Sequence, residues 1–206
     1  MPMPVQLMAK AVIRDRQERY LLLIHPNRSQ LFFPGGRLIN PKTKERYRLM
    51  INHPKELANV SGLFPGAGRE SGAKAIRRRL TEELTDTYKL LPNLVPQRVH
   101  VEYGWPAFMR IEPNSTGEQT VYIYLMSRVR LSGRSIRRIT RALNRQPELG
   151  AFVTLEEIRN GVTKAGVPIS PNVLFALEEI RLAPRMGQPP TDPPDADLLT
   201  SSKVSA

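Results

Sequence analysis

The chain writes Phe-Pro-Gly twice, in "LFFPGG" at 31–36 and "LFPGAG" at 63–68. Proline brings no backbone N–H to a ladder, and glycine takes dihedrals that other residues avoid. The first therefore ends a short apolar strand, and both turn the chain. Before the first lie two β-rich segments, "KAVIRD" at 10–15 and "YLLLIHP" at 20–26, and the polar "RQER" between them predicts a hairpin. The second leads directly into a helical stretch, 71–85. Residues 37–60 are polar, with Pro41 and Pro54 as breakers, and read as a long loop or insertion.

Further on, "RVHVEYGWPAFMRIE" and "QTVYIYLMSRVRL" predict two strands about the turn "PNSTGE". A basic helix is expected over 135–146. A strand and a short turn or helix follow in "GAFVTLEEIRNG". An amphipathic helix over 171–181 then places Val173, Leu174, Leu177 and Ile180 at helical spacing. From 184 the chain is rich in Pro, Asp and Ser, and a flexible tail is expected. The order of elements predicts a mixed α/β (α+β) domain over 1–183, with helices on a twisted mixed sheet. A hydrophobic content of 40% in 206 residues suffices for its core.

Lys and Arg number 31 against 19 Asp and Glu, a net charge of +12. Such a balance favours polyanionic partners: nucleic acid, nucleotides or phosphorylated surfaces. A solubility effect would leave the same excess. The chain has no cysteine, which excludes disulfides, thiolate zinc sites and a cysteine nucleophile and fits a reducing compartment. The longest dense apolar run, "YLLLI", is far short of a membrane span. The start, "MPMPVQLMAK", lacks the apolar core of a secretory signal. The expectation is a soluble cytoplasmic protein without a membrane partner.

Two helices carry chemistry. In 71–85, residues 79, 82 and 83 share one face, so Arg79 sits beside the adjacent carboxylates Glu82 and Glu83. Neighbouring carboxylates repel each other and gain from a hard cation such as Mg²⁺. On spacing alone, paired glutamates are more often the solvated end of a surface helix. In the second helix, Arg134, Arg137, Arg138, Arg141 and Arg145 recur every three or four residues opposite Ile136, Ile139 and Leu143. That basic face suits an RNA or DNA backbone or a long polyphosphate, and equally a merely solvated surface.

The stretch "GRESGAKAIRRRLTEEL" resembles the box of the Nudix hydrolase family, G-x5-E-x7-R-E-U-x-E-E-x-G-U, where U is bulky and apolar. Glu70 stands eight residues before Arg78, and Leu80, Glu82 and Glu83 follow at the box's offsets. Ala75 and Ile76 fall where the family packs its helix on the sheet. "LLLIHPNRSQLFFPGG" is similar to the approach to the box, and "AFVTLEEI" to a late strand and turn. The resemblance covers roughly 8 to 182.

It implies a Nudix-like α/β/α sandwich that uses Mg²⁺ (or Mn²⁺) to hydrolyse the pyrophosphate of a nucleoside diphosphate derivative. The substrate would be a nucleotide, a dinucleoside polyphosphate or an RNA 5′ end. Glu82 and Glu83 would bind the metal and Arg78 would pair with Glu70. Glu148, in "RQPELGAFV", would complete the metal shell or act as base, with Glu118, Glu102 and Glu112 as weaker substitutes. Gly36 would be the box's leading glycine, separated from the rest by an insertion at about 37–67. Tyr103 falls near where dinucleoside polyphosphate hydrolases carry a tyrosine, and Trp105, Phe108 and Tyr122 are near it in sequence. These aromatics would stack a base or pack the sheet. Arg137, Arg138 and Arg141 would hold phosphates.

The departures are Arg79 in place of the box's glutamate, Phe64 in place of a glycine, and Thr85-Asp86 at the close. Arg79 would either occupy the cation's place or contact a substrate phosphate. Three readings stay open: a hydrolase, a catalytically weak Nudix-fold protein that binds RNA or nucleotides, and a structural subunit of a ribonucleoprotein.

Overall fold

A computed structural model describes residues 2–25, 28–37, 49–51, 72–104, 108–114 and 116–182. The expectations for Phe64, Glu70, Trp105, the second Phe-Pro-Gly turn and the tail from 184 lie outside them.

The long strand β1 (Met3–Val12) runs parallel to β8 (Gln119–Arg130), in register from Val5 with Val121 to Val12 with Arg128. Their side chains alternate between two faces, as a pleated strand requires. Leu7, Ala9, Val121 and Ile123 enter one hydrophobic cluster, while Val12, Tyr122, Tyr124 and Met126 enter the other. β6 (His100–Gly104) and β7 (Phe108–Pro113) pair antiparallel with successive stretches of β8. The single strand expected over 98–112 is thus two.

β2 (Tyr20–His25) belongs to a second sheet, between β3 (Arg28–Phe32) and β9 (Gly150–Val153). The expected hairpin is therefore only a neck. Arg14 bridges to Tyr20, and the Asp15 carboxylate accepts from the N–H groups of Gln17 and Arg19 at 2.9 and 3.0 Å. Beyond the neck the two strands part, so their apolar residues serve both layers of the core. "LFFPGG" also divides. β3 ends at Phe32, and Pro34 hands the chain to β4 (Gly35–Arg37), which pairs antiparallel with β1. Most of the stretch expected as a long loop or insertion lies outside the described residues; from it β5 (Leu49–Ile51) pairs with the start of β1, marked in the sequence only by a short apolar triplet.

Helix α1 (Gly72–Thr81) buries Ala75, Ile76 and Leu80 against the first cluster, as the helical spacing requires. The expected helix then changes pitch. Glu82–Thr87 is π-helical, with the Tyr88 N–H donating to the Glu83 carbonyl at 2.8 Å. Such wider turns are uncommon and often mark functional positions. The Tyr88 hydroxyl donates to the Ile24 carbonyl at 2.6 Å, and the Thr85 hydroxyl to the Leu91 carbonyl at 3.0 Å. Both tie the end of the turn to its surroundings.

Helix α2 (Gly133–Arg145) starts at Ser132, whose hydroxyl accepts from the Ser135 N–H, and buries Ile139 and Leu143 in the same cluster as α1. Burying each such side chain contributes roughly 1.5–3 kcal/mol. Helix α3 (Leu155–Asn160) opens with a Thr154–Glu157 capping box, and α4 (Pro171–Leu182) buries Val173, Ala176, Leu177 and Ile180 in the second cluster. The architecture is mixed α/β, with helices contributing to the clusters on both faces.

Candidate functional site

The site forms where α1 passes the β4 turn. Gly35 has φ of +127°, a region L side chains rarely adopt, and a methyl group there would overlap the Ala9 carbonyl. Glycine alone lets the turn lie this close to β1. The Gly35 N–H donates to a Glu83 carboxylate oxygen at 2.7 Å. Lys10, on β1, sends its ammonium to the Phe33 and Gly35 carbonyls at 3.1 and 3.4 Å. Burial lowers the Lys10 pKa, partly countered by the Glu83 charge. Burial likewise raises that of Glu83, against the pull of Lys10 and the Gly35 N–H.

Gly36 is buried beneath Arg79. A methyl group at Gly36 would overlap the Arg79 guanidinium, so the missing side chain makes room for that cation. Arg79 donates to one Glu82 oxygen at 2.8 Å, and Arg78 to the other at 3.0 Å. Burial works upward on the Glu82 pKa, but the hydrogen bonds from Arg79 and Arg78 outweigh it and hold the carboxyl below its ordinary range. The Arg79 Nε is buried and without a hydrogen-bond partner.

The structure thus brings together Gly36, Arg78, Arg79, Glu82 and Glu83, and Glu70 lies outside the described residues. It adds Lys10 and Gly35, which the sequence reading missed. The available signal was a lysine set between two alanines in an apolar strand. Lys10, Arg78 and Arg79 set three positive groups against the two of Glu82 and Glu83, which leaves +1. Moving a proton from Lys10 to Glu83 would not change that sum. Three of the four carboxylate oxygens already accept from protein donors. A dication needs free anionic oxygens, so these described residues, as arranged, do not fit one; they suit an anion better.

The other expected site residues lie apart. Glu148 is exposed in the turn Pro147–Leu149, and among the described residues no three His, Asp or Glu gather as a metal-binding group. Glu102 pairs with Arg128 at 2.8 Å, Glu112 accepts from Asn172 at 3.0 Å, and Glu118 accepts from Asn114 at 3.3 Å. Tyr103 lies on β6, packed with Phe108 against the second cluster. Phe108 stacks on Tyr124 with ring centroids 5.4 Å apart, and Tyr122 is buried in that cluster. Arg137, Arg138 and Arg141 are exposed on α2.

Neither a family model nor a curated protein matches the chain.

Proposed function

We propose that the chain is a Nudix-like α/β/α protein that binds the polyphosphate of a nucleoside diphosphate derivative without hydrolysing it. The observation that carries this reading is Glu82, with both oxygens held by guanidinium groups. Arg79 takes the place of a bound cation, and the excess positive charge attracts phosphate. The order of elements, the paired glycines beside the box helix and the helices on both faces support the Nudix-like part. A hydrolase of the same ligand class is the second reading. It is favoured by the adjacent Glu82 and Glu83 in a π-helical turn.

One set of assays separates them. ADP-ribose, NAD, dinucleoside polyphosphates and 5′-triphosphate RNA are titrated calorimetrically without divalent ions, then incubated with Mg²⁺ or Mn²⁺. Binding without metal, weakened at least tenfold by Arg79→Gln and with no turnover, supports the binding reading. Turnover that Glu83→Gln abolishes would establish the hydrolase instead. No binding and no turnover would reject both.

A further inference from the structure

Helix α2 carries a second feature, away from the carboxylates of α1. Arg134, Arg138, Arg141 and Arg145 follow one line along it, spanning roughly 16 Å at 1.5 Å per residue. All four are exposed, and among the described residues none makes an ion pair. Arg137 extends the patch, since its guanidinium and that of Arg16 each lie 3.7 Å from the place of a Cβ on Gly133. Beside this line, between α2 and the segment that follows the π-helical turn, opens a cleft of about 390 Å³. Leu90, Pro92 and Ala142 give it an apolar lining, and Asn93 an amide. Arg138, Arg141 and Arg145 supply its charge. Its volume is within the roughly 300–1,000 Å³ of small-ligand pockets.

We propose that this cleft and the arginine line bind single-stranded nucleic acid, the arginines holding backbone phosphates and the cleft receiving one unstacked base. The two halves of the surface ask for different chemistry. Free guanidinium groups at repeated helical spacing match a repeated phosphate charge. An apolar cleft among them needs a flat apolar group attached to that same chain, with edge atoms that an amide can meet. A nucleobase is such a group, and in a duplex it would be stacked out of reach. A lipid surface fits less well. The apolar residues Ile139 and Leu143 are turned into the core, so α2 has no stripe to insert. The proposal is independent of the polyphosphate reading, because the two sites share no residue.

The test is fluorescence anisotropy of the full chain with a short labelled single-stranded RNA, an abasic strand of equal length, duplex RNA and anionic vesicles. Counterion release from a single strand gives a log–log salt slope of about −0.7 per phosphate contact, so four contacts give about −2.8. Between about 50 and 200 mM salt the parent should lose about 50-fold in affinity, and the Arg138→Gln/Arg141→Gln/Arg145→Gln variant about threefold. The single-stranded RNA should bind at least tenfold tighter than the abasic strand. Asn93→Trp, at an exposed position, should fill the cleft, erase that preference and leave the salt slope unchanged. Should the triple variant fail to fold, the Asn93→Trp comparison decides alone. An unchanged slope in a folded triple variant would overturn the proposal. So would equal binding of the abasic strand by the parent, or tighter binding of duplex or vesicles. Arg79→Gln should leave every one of these values in place, which separates this site from the one on α1.

Discussion

Helices α1 and α2 are both rich in arginine, yet their guanidinium groups lead different lives. On α1 they are partly buried and engaged. Arg77 donates to the Val99 carbonyl at 3.2 Å, and Arg78 and Arg79 share Glu82. On α2 five arginines stand exposed, and among the described residues none has an ion pair. The difference is one of acceptors within reach. Glu82 lies three and four residues beyond Arg79 and Arg78, where helical side chains meet. Between Gly133 and Arg145 there is no Asp or Glu at all. An arginine with an acid one turn away is held in an ion pair; one without an acid leaves its charge exposed.

Charge reversal should break this comparison most visibly. Arg79→Glu would set three carboxylates together, convert the centre from +1 to −1, and destabilise the metal-free protein by about 2–3 kcal/mol through repulsion and the loss of a paired guanidinium. Mn²⁺ should then bind at least tenfold more tightly and restore the melting temperature. Arg138→Glu, on the exposed helix, should change stability by less than about 0.5 kcal/mol. Equal losses in thermal unfolding would show that the two helices do not differ as described.

Lys10→Met asks whether the α1 centre depends on its half-buried cation. The Phe33 and Gly35 carbonyls would lose their donor, at about 1–3 kcal/mol. Denaturant unfolding at the parent's midpoint would show that Lys10 contributes nothing there. Gly36→Ala should act more gently, by about 1 kcal/mol, because the Arg79 guanidinium lies at the end of a flexible side chain and can move aside. On the proposed binding reading it should nevertheless weaken metal-free nucleotide binding, as Arg79→Gln should. Binding at the parent's level would detach Gly36 from the site.

The smallest effect concerns acid. Hydrogen bonds from Arg79 and Arg78 hold Glu82 below its ordinary range. A carboxyl depressed in the folded state adds stability that is present above its unfolded value, about 4.3, and lost as pH falls through the folded one. Glu83, raised by burial, acts in the opposite sense, so the informative quantity is the difference between the parent and Glu82→Gln. That difference should shrink as pH falls below about 4. It will be modest, since Glu82 is partly exposed and exposed pairs contribute only about 0.2–1 kcal/mol. A gap in melting temperature that stays constant from pH 7 to 3 would refute the role given to the Arg79 and Arg78 pairs.

Much of this was legible along the chain. The stripes Ile136–Ile139–Leu143 and Val173–Leu177–Ile180, the break at Pro34 and the shared face of residues 79, 82 and 83 follow from local periodicity and turn chemistry. Three features escaped. A π-helical turn differs from an α-helix by one residue of pitch, and apolar spacing over so short a run does not register it. The division of "RVHVEYGWPAFMRIE" into β6 and β7, and of the hairpin between two sheets, depends on which strand each segment meets.

The sequence by itself determined the apolar stripes of α2 and α4, the positive charge without neighbouring acids on α2, and the adjacency of Glu82 and Glu83, because these are properties of residues within a turn or two of one another. Only the tertiary structure decided that Lys10 reaches the β4 turn, that the Gly35 N–H holds Glu83, and that Arg79 covers Gly36. Those contacts join residues tens of positions apart, and packing the α1 helix on a sheet made from β1, β4 and β8 is what brings them within hydrogen-bond range.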